Sequence, residues 1–146
     1  MRVLISLAIS MAALAGCAAP QPPAAGPLTG AWVATAAERN GAPARDVVGH
    51  VLTFAGSDFT IAGADGAQIW AGTWSSDASA TPAEIDFRID EGAGAGQEWL
   101  GLWRLDGAAL RIADNAPDPS RPRPTAFAAP AGSGVVLATF ERPAGG

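Results

Sequence analysis

Lysine is missing from this 146-residue chain, and cysteine and histidine occur once each. Each scarcity closes a route. A lone cysteine, Cys17, cannot form an intramolecular disulfide, so stability has to come from a packed core. A lone histidine, His50, leaves a single centre for any His-based metal site or Ser–His–Asp arrangement. Nine cations, all arginine, face fourteen acids for a formal net charge of −5. Such a chain lacks the clustered cations that phosphate contacts require, which excludes a nucleic-acid partner. It equally lacks the basic patch that attaches a protein to an anionic bilayer by charge. The apolar segment Val3–Ala15 is too short to span a membrane, which takes ~20 residues, and prolines follow it. Internal repeats, heptads and long amphipathic helices are also absent from the pattern.

What is present starts with an address. Arg2, the mostly apolar Val3–Ala15 and the small residues before Cys17 have the order of a secretory signal: charged region, apolar region, cleavage site. Leu14-Ala15-Gly16-Cys17 resembles a bacterial lipobox, in which the cysteine thiol takes a diacylglycerol and becomes the mature N-terminus. Residues 1–16 are therefore expected to be a lipoprotein signal peptide and Cys17 the lipidation site. Residues 17–27, with four prolines, read as a tether biased to polyproline II that spans roughly 30 Å at about 3.1 Å per residue. Residues 28–143 form the domain and 144–146 a tail. Ala18, where an acidic residue would favour inner-membrane retention, points to the periplasmic face of the outer membrane.

Beyond Leu28, short β-branched and aromatic runs alternate with Gly, Pro, Asn and Asp, the pattern of a small all-β sandwich or barrel. Nine strands are predicted: Ala31–Ala37, Val51–Ala55, Phe59–Ala62, Gln68–Ser75, Glu84–Ile89, Glu98–Leu105, Ala109–Ala113, Thr125–Ala128 and Val135–Arg142. Glu84–Asp90 alternates strictly, which places Ile85, Phe87 and Ile89 on a buried face. Asp106-Gly107 and Asp65-Gly66 mark hairpins, Asn40-Gly41 ends the first strand, and Ala44–Gly49 suits one helical turn. Asn115–Pro124 reads as a stiff loop. Strands with one charged and one apolar face need closure to hide their edges, so a small antiparallel barrel of eight or nine strands is expected ahead of an open sandwich.

Leu28-Thr29-Gly30-Ala31-Trp32, Asn40-Gly41 and Gly49–Phe54 resemble the opening of a bacterial family of lipocalin-like domains abundant in planctomycetes. The likeness continues through Gly72-Thr73-Trp74, Pro82–Phe87, Gly101–Gly107, Arg123–Phe127, Gly132-Ser133-Gly134 and Phe140-Glu141-Arg142. It departs in lacking surface lysines and in carrying Trp103 where the family often has Tyr. The resemblance implies a lipocalin-like barrel over the whole exported domain and no particular reaction. It also implies barrel closure by Gly30 and Trp32, with Arg142 covering the indole in a cation–π contact.

Catalysis finds little support. His50 beside Gly49 reads as a turn residue, and Glu84, Asp86 and Asp90 share what an alternating strand makes a solvated outer face. Gly92–Gly96 lacks the Lys-Ser/Thr and the helix of a phosphate loop, and Arg121–Pro124 reads as a loop feeding a strand. No calcium-loop pattern occurs, and no metal or other cofactor is expected. Five Trp and five Phe exceed what filling a small core demands, and Ala34, Ala36, Ala62 and Ala71 leave volume. Phe54, Phe59, Trp74, Phe87, Trp103 and Phe127 are the candidate lining of an apolar cavity, with Trp70 and Trp74 sharing a face of undecided direction. Two functions stay open for this non-enzymatic, membrane-anchored lipoprotein. One is a barrel that holds a small hydrophobic ligand; the other is a filled barrel that contacts another envelope protein.

Overall fold

The computed structural model describes residues 26–144, so the signal segment, Cys17 and most of the tether lie outside the described residues. A 3₁₀ turn, Gly26–Leu28, leads into nine strands: β1 Gly30–Arg39, β2 Ala42–Pro43, β3 Val51–Ala55, β4 Asp58–Ala62, β5 Gln68–Asp77, β6 Glu84–Glu91, β7 Glu98–Asp106, β8 Ala109–Asp114 and β9 Val136–Glu141. All neighbours pair antiparallel, and β1 pairs with both β3 and β9. The sheet therefore closes on itself as an eight-stranded up-and-down barrel, with the two-residue β2 attached to the end of β1. Closure leaves no long sheet edge to the solvent.

Alternation along each strand assigns the interior. Trp32 pairs with Leu52, Leu52 with Ile61 and Ile61 with Trp70, so these side chains form one inward row. Phe54 pairs with Phe59 and Phe59 with Gly72 in a second row, and Trp74 pairs with Phe87 and Phe87 with Trp99 in a third. A bulge between Ala34 and Ala36 adds a residue to β1 and turns Ala37 and Arg39 inward beyond it. At the Asp106-Gly107 hairpin the strands run one residue further than the Asp-Gly signal suggests, and the β3–β4 hairpin has the same two-residue form. Ala55 pairs with Asp58 and Asp106 with Ala109, so Gly56 and Gly107 take the first loop position, with φ of 58° and 60°.

The end of the barrel where β1 begins is filled and closed. Phe54 and Trp74 lie 4.5 Å apart between ring centroids, Phe59 and Phe87 4.9 Å, and all four are buried. Such pairs contribute about 0.5–1.5 kcal/mol each beyond the area they bury. Leu28 packs beneath them, and Trp32 Nε1 donates to its carbonyl at 2.9 Å. Arg142 lies over the Trp32 ring, its guanidinium carbon 3.7 Å from the centroid, and donates to the carbonyls of Ala31 and Pro27. Gly30 leaves the space: a Cβ there would sit 3.1 Å from an Arg142 terminal nitrogen.

Two expectations need correction. Thr125–Ala128 is not a strand, because Pro122, Pro124 and Pro130 remove N–H donors around it. The run from Asn115 to Val135 instead crosses the outside of the barrel as a strap. Phe127 packs there against a second apolar cluster, Ala113, Ala129, Val135 and Leu137, with Arg104 4.5 Å above its ring. The helical turn expected at Ala44–Gly49 is a pair of successive turns, closed by Val47 N–H to Ala44 O and His50 N–H to Val47 O.

Candidate functional site

The opposite end of the barrel is not filled. A cavity of about 280 Å³ opens there, between the turn at 44–50, the start of the strap and the upper inward rows. Leu52, Ile61, Trp70, Trp99, Ala138 and Phe140 supply apolar walls. Val47, Ala116 and Pro117 stand at the rim, and Arg39, Asp46, His50 and Asp114 are its polar members. The two tryptophans meet edge to face, 5.3 Å between centroids and 81° between planes. Trp70 is held from outside by a hydrogen bond from Nε1 to the Ala93 carbonyl at 3.0 Å, and His50 meets its ring edge-on at 6.4 Å. The Gly92–Gly96 loop thus serves to position an aromatic wall.

Arg39 and Asp46 bridge the rim with two hydrogen bonds of 3.0 and 2.8 Å. The guanidinium holds the Asp46 carboxyl below its ordinary range, and Asp46 in turn raises Arg39. Both side chains are substantially solvated, so the pair fixes geometry at the rim more than it stabilises the fold.

Asp114 is different. It follows Leu110 and Ile112 on the inward face of β8, is 9% exposed, and sits opposite Gly101 on β7. Its Oδ1 accepts the Ala116 N–H at 2.9 Å. Burial pushes its pKa up to about 7, only partly opposed by that hydrogen bond. A Cβ at position 101 would fall 2.7 Å from the Ala113 carbonyl oxygen and 2.9 Å from the Asp114 Cβ, so glycine is what admits the carboxylate.

None of the six residues expected to line a cavity does so. Phe54, Phe59, Trp74 and Phe87 are the filling of the closed end, Trp103 packs partly buried against that core, and Phe127 is outside under the strap. Trp70 and Trp74 do share the inward face, one walling the cavity and the other in the core. Two of the four expected alanines do not supply the spare volume, while Ala34 does face inward. Ala36 is exposed at the bulge, and Ala71, between inward Trp70 and Gly72, faces outward. Small inward residues toward the open end are Ala138 with its partner Ala37, and Gly101 one row on, opposite Asp114. Asp114 was legible by continuing the alternation Leu110, Ile112 by one step.

The carboxylates of β6 lie on the outer face, where Arg123 of the strap takes them up. Its Nη1 lies 2.6 Å from Asp86 Oδ1 and donates to the Gly101 carbonyl at 2.8 Å, with Glu84 at 3.7 Å. The Asp86 contact is Coulombic and not an aligned hydrogen bond. Arg88 and Asp90 are a loose exposed pair at 3.9 Å. Among the described residues no three His, Cys, Asp or Glu side chains converge as a metal site would require. No helix among the described residues is long and apolar enough to cross a membrane. No protein-family model, no curated protein and no solved structure matches this chain.

Proposed function

We propose that this protein is a lipid-anchored envelope protein whose barrel binds a small, mainly apolar molecule at its open end. The observation that carries the reading is the contrast between the two ends: aromatics fill one completely, while the other keeps about 280 Å³ walled by Leu, Ile, Trp and Phe side chains. Packed apolar interiors seldom leave such volume, and its conjunction with a few polar groups is characteristic of ligand sites. At about 30 Å³ per water-sized unit, the space suits on the order of ten non-hydrogen atoms, a single ring or short chain and not a whole lipid. The alternative, a barrel serving only as a docking scaffold, has less to rest on. The large apolar side chains exposed among the described residues are Val48 at the open end and Leu105 at the closed end, too far apart to make one patch.

The anchor rests on the lipobox-like Leu14–Cys17, and the outer-membrane location on Ala18 after it. Native mass spectrometry of the full chain, before and after denaturing and refolding, tests the binding reading. An adduct of small mass that is lost on refolding and regained from an envelope extract supports it. A bare chain in both runs, with no uptake and no change in the fluorescence of Trp70 and Trp99, overturns it.

A further inference from the structure

The proposed pocket contains one group that an apolar ligand alone would not call for. Asp114 presents a carboxyl group to a space whose walls are mainly apolar and whose other polar members are Arg39, Asp46, His50 and the Trp99 indole nitrogen, and burying such a group without a charge partner is costly. The neighbours on every side offer it none. From β7 it faces Gly101 and Trp99, and from β9 Val136 and Ala138. From β1 comes Arg39, whose two terminal nitrogens are both engaged by Asp46. The turn at 44–50 contributes Asp46 and His50, and the strap contributes Ala116 and Pro117. Among the described residues no cation comes within ion-pair distance, 4.0 Å, of the Asp114 carboxylate. With the Arg39–Asp46 pair neutral as a unit, Asp114 is the carboxylate of this pocket that has no cation beside it.

A charge of that sign in that place discriminates among ligands of equal size. A carboxylate ligand would be repelled, and a neutral one would leave the group unpaired. An ammonium group would neutralise it, and the perpendicular rings of Trp70 and Trp99 offer aromatic surface on which a cation is also favoured. We infer that the pocket takes a small aryl- or alkylamine, its ammonium seated against Asp114 and its hydrocarbon against Trp70, Trp99 and Phe140. This inference rests on the binding reading above and narrows it to one chemical class. It carries a pH dependence of definite sign. Burial holds the empty Asp114 up to about 7, so below that value a proton competes with the ammonium for the carboxylate. Affinity for an amine then falls as the pH drops, by about tenfold per unit.

Three probes of nearly equal size separate the outcomes: 2-phenylethylamine, 2-phenylethanol and phenylacetate, titrated calorimetrically into the full chain. The amine is expected to bind at least about tenfold tighter than the alcohol near pH 8.5, and phenylacetate weakest. That preference is expected to fall by up to about tenfold per unit below pH 7, to be lost by pH 5, and to collapse in Asp114→Asn. Alcohol or phenylacetate binding as tightly as the amine in the wild-type chain overturns the amine assignment and leaves the pocket standing. Failure of all three to bind or to perturb the Trp70 and Trp99 indole resonances overturns the pocket and the assignment together.

Discussion

Replacing Asp114 with Asn exchanges the buried acid for a side chain of the same shape that cannot ionise. The amide oxygen can still accept the Ala116 N–H, so the local geometry has reason to persist. The thermodynamic consequence follows from the proton. An ordinary aspartate titrates at 3.8, whereas in the folded barrel Asp114 titrates at about 7. Between those values the folded chain keeps a proton that the unfolded chain has released. The unfolded state therefore binds fewer protons, and stability falls as pH rises, by up to about 1.36 kcal/mol per unit. Across the roughly three-unit window the loss is about 4 kcal/mol, a large fraction of what a domain of this size commands. Asp46, Asp77 and Asp118 have depressed values, so their contributions change only below the ordinary carboxylate range and leave the window clear. Urea unfolding followed by tryptophan fluorescence, repeated from about pH 4.5 to 8.5, reads the effect directly. The wild-type chain is expected to lose stability steadily up to neutrality, and Asp114→Asn to stay nearly flat and to exceed it above pH 7. Parallel slopes for the two chains would refute the reasoning and place the carboxylate in water.

Other perturbations test separate parts of the structure. Arg142→Ala removes the cation over Trp32 and two hydrogen bonds to backbone carbonyls, and is expected to cost about 1–3 kcal/mol in the same urea assay. Gly101→Ala drives a methyl group against the Ala113 carbonyl and Asp114, so a loss of about 1–3 kcal/mol is expected, visible as a lower Tm. Phe87→Ala opens a void in the closed end and is expected to cost about 3–5 kcal/mol, whereas Asp46→Asn at the solvated rim should move stability by less than about 1 kcal/mol. Cys17→Ser should leave the chain unacylated in an expressing Gram-negative host, as intact mass and the loss of detergent-phase partitioning would report.

Much of the barrel was legible because its strands obey a local rule. Ile85, Phe87 and Ile89 alternate with charged residues, and all three are buried on one face. Thr125–Ala128 satisfied the same composition rule and is not a strand, because the prolines around it deny a sheet the donors it needs. The pocket was harder to read for a different reason. Phe and Trp fill the closed end and Trp also walls the open end, so residue type does not distinguish filled volume from empty. What decides it is at a distance: the bulge that turns Arg39 inward, the small residues Ala37, Ala138 and Gly101 in adjacent rows, and the turn at 44–50 that lines the cavity without filling it. Asp114 belongs between the cases, since local alternation implied its direction while its isolation from cations required the assembled rows.

The 3₁₀ turn at Gly26–Leu28 enters beneath Trp32, at the plugged end, while the cavity opens at the far end of strands up to ten residues long. Were the chain anchored at Cys17, as proposed, the tether would join the barrel at its plugged end and leave the cavity mouth on the side away from the attachment. A strand of that length adds roughly 25–30 Å to whatever reach the tether has. Cargo would then arrive from the aqueous compartment and not by sliding out of the supporting leaflet. Its capture rate should follow the free concentration in that compartment, and its release should respond to the acidity of the fluid at the lip.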